Sequence, residues 1–129
     1  PEGDGVLMGL LLVEIIAASG GSLGELVDDL LNEVGPAFYD RTDLRLKHPV
    51  AKEQMTARLA SEYPAQIGGE RIVEVSQRDG VKYILADDSW LLIRPSGTEP
   101  VLRVYAEGRT REMVKALLGY GEQVAASIV

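Results

Sequence analysis

All of the net charge of this chain sits at one end, and that asymmetry divides the sequence before any secondary structure is considered. Residues 1–35 hold seven acids (Glu2, Asp4, Glu14, Glu25, Asp28, Asp29 and Glu33) and no Lys or Arg, so they account for the whole net charge of −7, while residues 36–129 set 13 acids against 13 bases. The change falls at Gly35 and Pro36, a glycine past the last helically periodic residue and then a proline, which is a helix stop signal. A domain boundary is expected there, between an acidic segment, 1–35, and a larger neutral one, 36–129. With 46% hydrophobic and 26% charged residues the chain belongs with globular rather than disordered sequences. It contains no cysteine, which excludes disulfides and thiolate metal sites.

The acidic segment reads as two helices. Asp4 is placed to cap the first, from about Val6 to Ala18, and Gly20 with Gly21 breaks it. Ser22 and Glu25 have capping-box spacing for a second helix, which carries Leu23, Leu26, Val27, Leu30, Leu31 and Val34 on one face. Asp28 and Asp29 fall on its solvated side. The run from Val6 to Ala18 is apolar almost all round, with Glu14 its only charge. It is shorter than the roughly 20 residues a bilayer requires, so no membrane partner is expected and a buried core role is. A helix apolar on every side needs a covering surface, so helices 6–34 are expected to find a partner through homodimerisation or domain swapping.

From Pro36 onward strands outnumber helices. Phe38–Leu46 is expected to be extended, with a helix from about Val50 to Glu62 that begins at Pro49 and is broken by Pro64. Ile72, Val73 and Val75 open a strand that turns at Arg78, Asp79 and Gly80 into Val81, Tyr83, Ile84 and Leu85. Asp87 and Asp88 are read as the next turn rather than as metal ligands. The last helix, capped by Thr110, carries Val114, Leu117, Leu118, Gly121, Ala125 and Ile128 as a core stripe. The fold class is α+β, an antiparallel sheet with helices on one face, preceded by two helices. His48, beside Pro49, reads as an exposed linker residue, and Trp90 as packing on the sheet. Tyr39, Arg41 and Arg45 receive no role.

Chemistry concentrates in Arg94–Pro100. The apolar runs Trp90–Ile93 and Val101–Tyr105 are strands, so the residues between them must turn. Pro95 and Pro100 fix φ, while Gly97 permits unusual backbone and close approach of a ligand. Ser96 and Thr98 supply hydroxyls, and the amides of Gly97, Thr98 and Glu99 can converge on an oxyanion. Arg94 enters the loop and Arg103 leaves it, each with a planar fork suited to phosphate. Spacing alone leaves a second reading open, in which the hydroxyls and glycine serve only the turn and the arginines pair with Glu99 or Glu107. A nucleotide P-loop is excluded, because its GxxxxGK pattern followed by Ser or Thr is absent.

Arg94–Gly108, RPSGTEPVLRVYAEG, closely resembles the phosphate-binding loop of the α-D-phosphohexomutases, the family of phosphoglucomutase, phosphomannomutase and phosphoglucosamine mutase. The resemblance implies that the loop lies on the fourth domain, ahead of a strand and a terminal helix, and that residues 1–35 resemble the end of the third. On that basis the chain looks like a C-terminal fragment. The resemblance assigns substrate phosphate binding to Arg94, Ser96, Gly97, Thr98 and Arg103. It implies reversible transfer of phosphate between the 1- and 6-positions of a hexose, through a hexose 1,6-bisphosphate that reorients.

The family's phosphoserine loop, its magnesium-binding DGDxDR-like motif and its sugar-reading GExSG-like motif do not occur here. No catalytic or metal residue is therefore assigned, Mg2+ is expected only in the full-length enzyme, and the fragment alone is expected to be inactive. VYAEG favours the phosphoglucomutase and phosphomannomutase group. The implied partners are a hexose phosphate and the N-terminal domains of the same chain, and the implied location is cytoplasmic. The rival reading is a non-catalytic anion-binding or assembly module; a nucleic-acid ligand is disfavoured because the loop-bearing segment is neutral rather than basic.

Overall fold

The computed structural model describes residues 3–47, 51–97 and 99–128, the side chain of Ile128 excepted. The chain divides into two compact units, Pro1–Pro36 and Ala37–Val129.

The first unit is helix α1 (Gly5–Ser19) followed by α2 (Leu23–Val34), bent from one another by 86°. Local chemistry sets every boundary. Asp4 Oδ1 accepts hydrogen bonds from the amides of Val6 and Leu7 at 2.9 and 3.1 Å, and Gly20 stops α1 in the left-handed region at φ 70°. Ser22 and Glu25 form the expected capping box: the Glu25 amide donates to Ser22 Oγ at 3.3 Å, and the Ser22 amide donates to Glu25 Oε2 at 2.7 Å. Those hydrogen bonds hold the Glu25 carboxyl below its ordinary range. Neither helix buries a residue. Val6, Leu10 and Val13 are each more than 60% exposed. The core role expected for Val6–Ala18 is thus not met within this chain, because an apolar helix becomes core only where a complementary surface covers it. Among the described residues no single helix is long and apolar enough to cross a membrane.

The second unit is a six-stranded sheet with two helices. Its strands are β1 (Phe38–Arg45), β2 (Gln66–Ile67), β3 (Glu70–Ser76), β4 (Val81–Leu85), β5 (Trp90–Pro95) and β6 (Val101–Gly108), in the spatial order β1-β6-β5-β4-β3-β2. Every pairing is antiparallel. Alternation decides which face is covered. Val81, Tyr83 and Leu85, then Leu91 and Ile93, then Leu102, Val104 and Ala106 are buried on one face. Helix α3 (Lys52–Ser61) adds Met55 and Leu59 to that core, and α4 (Arg111–Ile128) adds Val114, Leu117, Val124 and Ala125. Gly121 lets α4 close on β6, since a Cβ there would collide with Val104. The Tyr83 hydroxyl spans the core to donate to the Leu59 carbonyl at 2.7 Å. The result is the expected α+β arrangement, with the helices on one side of the sheet and the other side left open.

Three local features differ from the sequence reading. A short strand, β2, turns into β3 through Gly68 and Gly69, both at positive φ (61° and 91°), the conformation a two-residue hairpin demands. Helix α3 is described from Lys52, with Ala51 at its N-cap and no side-chain cap, while His48, Pro49 and Val50 lie outside the described residues. Strand β5 runs on to include Pro95. This is tolerated because the Ser96 amide bonds to Val101 O on β6 at 2.8 Å, which turns the Pro95 nitrogen toward the β4 side, where pairing has already ended at Ile93.

Candidate functional site

The β5–β6 hairpin and its neighbours build the site. Arg94 and Arg103 are direct partners in the β5–β6 register, and both lie on the face without helices, since Ile93, Pro95, Leu102 and Val104 point the other way into the core. Like charges directly opposite one another destabilise a sheet, and here they sit at the mouth of the loop. Each is flanked on its outer side by an acid. Arg94 Nε lies 3.2 Å from Asp79 Oδ1 on the β3–β4 turn, with both side chains about half exposed. Arg103 faces Asp43 across the β1–β6 pairing. The resulting row, Asp43–Arg103–Arg94–Asp79, carries the signs minus, plus, plus, minus.

Arg103 Nε is buried and has no hydrogen-bond partner among the described residues. A buried guanidinium N–H without an acceptor costs on the order of 1–3 kcal/mol, so the fold carries a local cost at this arginine. Asp43 makes no ion pair with Arg103 among the described residues; it is drawn instead to Arg41, which grips it at two points, Nε to Oδ1 at 2.8 Å and Nη2 to Oδ2 at 2.6 Å. The hydrogen bonds from Arg41 are the main reason the Asp43 carboxyl is depressed below its usual range, with the Arg41 and Arg103 charges adding to it.

The loop is open at its tip. Its base is tied by Ser96 N–H to Val101 O and by Val101 N–H to Glu99 O at 2.7 Å, and the Pro100 carbonyl accepts from Leu46 N at 2.8 Å. Gly97 is exposed, with nothing within 4 Å of where a Cβ would stand. Its φ is not positive, which corrects one expectation: glycine here supplies access to the main chain rather than an unusual backbone. Thr98 lies outside the described residues.

Neither arginine makes a described ion pair with Glu99 or Glu107. Glu107 instead accepts from Trp90 Nε1 at 3.2 Å. Trp90 packs on the sheet as expected, 6.4 Å from the Tyr39 ring and with Lys82 Nζ 4.1 Å above its own. Asp87 accepts from the amide and hydroxyl of Ser89, and Asp88 occupies the turn at φ 66°, as the turn reading requires. Among the described residues no group of three His, Asp or Glu forms a metal site.

The sequence reading left Arg41 and Arg45 without a role. The β1–β6 register places Asp43 opposite Arg103, Arg41 opposite Tyr105 and Arg45 opposite Val101 at the loop mouth, so all join the open face. Their alternation along 41, 43 and 45 was the available signal. Elsewhere, a cleft of about 470 Å3 opens between α3 and α4. It is walled by Met55, Leu59, Tyr120 and Val124 on the covered side of the sheet, away from the arginine pair.

Residues 45–119, over half of the chain, match the family described as "Phosphoglucomutase/phosphomannomutase, C-terminal domain". The chain belongs to this family. It is 33% identical over 129 residues to a probable phosphoglucosamine mutase of Pyrococcus horikoshii, a match covering 98% of this chain and 26% of that protein. Two proteins of Thermococcus kodakarensis are also similar. One, a phosphoglucomutase/phosphomannomutase, is 31% identical over 92% of this chain and 23% of its own length. The other, a phosphopentomutase, is 38% identical over 83% of this chain and 22% of its own. The chain of this mutase family thus spans about a quarter of the length of these relatives. Their names carry different sugars, so similarity over this stretch does not select one sugar and lends VYAEG no weight in that choice.

Proposed function

We propose that this chain is the phosphate-holding C-terminal part of a phosphohexomutase, gripping the phosphate that is not reacting while another is moved between the 1- and 6-positions of the sugar. The observation that carries the proposal is the arginine pair: Arg94 and Arg103 stand opposite one another on neighbouring strands of the face without helices, at the mouth of the loop. A dianion between Arg94 and Arg103 offsets their repulsion. Ser96, the open amide of Gly97 and Thr98 complete the assigned ligand set from the loop.

Such a site grips phosphate and reads little of the sugar, as a bisphosphate that must turn around requires. Charge-assisted hydrogen bonds contribute roughly 1.5–3 kcal/mol each, so a few anchor the substrate firmly. Anchoring at a distance orients the reacting phosphate and lowers its barrier. In this reading residues 1–35 close the preceding domain, the link around Gly35–Phe38 is a hinge, and the chain alone is inactive because its sequence lacks the family's phosphoserine loop and magnesium motif.

In the intact enzyme, Arg94→Ala should raise KM for the hexose phosphate and lower kcat together, because closure over the substrate loses its anchor. Unchanged kinetics would remove Arg94 from the site. In the isolated chain, a hexose 6-phosphate should shift the Gly97 amide resonance and an oligonucleotide should not.

A further inference from the structure

The arginine that enters the loop is already partnered without ligand, and its partner comes from a turn that no assignment of the site includes. Asp79 Oδ1 meets Arg94 at Nε. The guanidinium is a rigid fork, so a contact at Nε leaves the edge formed by the two Nη atoms to receive an anion. Asp79 also lines a concave patch of about 470 Å3 with Glu74, Ser76, Arg78, Lys82 and Leu92 on the face without helices, the face that carries Arg94. Its carboxylate is more than half exposed.

We infer that Asp79 is a positioning residue that tempers the phosphate grip: it holds Arg94 by Nε with the Nη edge outward, and its negative charge keeps the bound dianion releasable. This rests on the reading of Arg94 and Arg103 as a phosphate site. The reason for tempering lies in the proposed reaction, where one site must hold a phosphate and then let it go so that the sugar can turn. A carboxylate about 7 Å from a dianion opposes binding by severalfold in water, and by about threefold once salt screens the charges. Asp43 does not play the same part at Arg103: its ion pair is with Arg41, and none joins it to Arg103 among the described residues.

The test is titration of the 129-residue chain with inorganic phosphate at low ionic strength, followed at the Gly97 amide by NMR, for the unaltered chain, Asp79→Asn, Asp79→Glu and Arg94→Ala. Asparagine keeps the turn preference of aspartate, so the fold is retained while the charge is removed. Asp79→Asn should lower the Kd for phosphate about threefold or more, with the gain shrinking as salt is added, and Asp79→Glu should stay near the unaltered value. A Kd unchanged or raised in Asp79→Asn, or equal changes in Asp79→Asn and Asp79→Glu, would overturn the role of Asp79. Arg94→Ala should abolish saturable binding. If it binds as tightly as the unaltered chain, the phosphate site itself is wrong, a failure distinct from the first. In the intact enzyme Asp79→Asn should lower KM and kcat together, the pattern of a phosphate held too tightly, which a merely structural residue would not give.

Discussion

Helices α1 and α4 are both rich in apolar residues, and they meet opposite fates. In α1 the apolar residues surround the helix and none is buried; in α4 they form one stripe, and Val114, Leu117, Val124 and Ala125 pack under the sheet. Hydrophobicity therefore does not decide burial here. A one-sided pattern facing another one-sided pattern does, and the alternating strands β4, β5 and β6 supply that second surface within the same unit. Burial follows complementarity, and α1 shows what remains when the complement is absent.

The strongest challenge to this contrast is Leu117→Ala. Leu117 is fully buried, so the substitution should cost about 2–5 kcal/mol in urea unfolding; a loss below 1 kcal/mol would mean that α4 does not seal the core.

Next comes Tyr83→Phe, which leaves the Leu59 carbonyl without its donor and should cost about 1–2 kcal/mol. Burial, reinforced by Tyr120, pushes the Tyr83 phenol above its ordinary value. The folded state then keeps a proton that the unfolded chain releases near pH 10. Stability is complete below that pH and falls as pH rises beyond it. The slope should be shallower in Tyr83→Phe; equal slopes in an alkaline unfolding series would assign the titration to another group.

The smallest effect is expected at Leu10→Ala, at a site 62% exposed. At low concentration it should change stability by no more than about 0.5 kcal/mol. At high concentration the unpartnered apolar surface of α1 predicts self-association in light scattering, weakened by the same substitution. A cost rivalling that of Leu117→Ala in the dilute chain would erase the contrast.

What the sequence disclosed followed the range of the interaction. The caps of α1 and α2 depend on Asp4, Ser22 and Glu25 bonding within three residues, and were legible. So was the β5–β6 hairpin, because its turn residues lie between its strands. The β1–β6 register was not, since it joins segments far apart in the chain, and with it went Asp43 opposite Arg103 and Arg45 at the loop mouth. The Asp79–Arg94 contact was hidden for the same reason: turn chemistry placed Asp79 in a hairpin, but only the packing of two hairpins sets it beside an arginine. Strand β2 escaped because two residues carry no period, although Gly68 and Gly69 were a turn signal in plain view.

The same hairpin contact fixes where Arg94 begins. At Gly80, where φ is 85°, a side chain would run into the Ile93 carbonyl and stand 2.9 Å from the Arg94 Cα. A close neighbour of this cation is thus a residue with no side chain, and an alanine introduced there would displace the arginine's root while leaving its guanidinium chemically unchanged. Binding lost in such a variant would be a defect of scaffolding, recognisable because the folded state would lose stability along with the ligand.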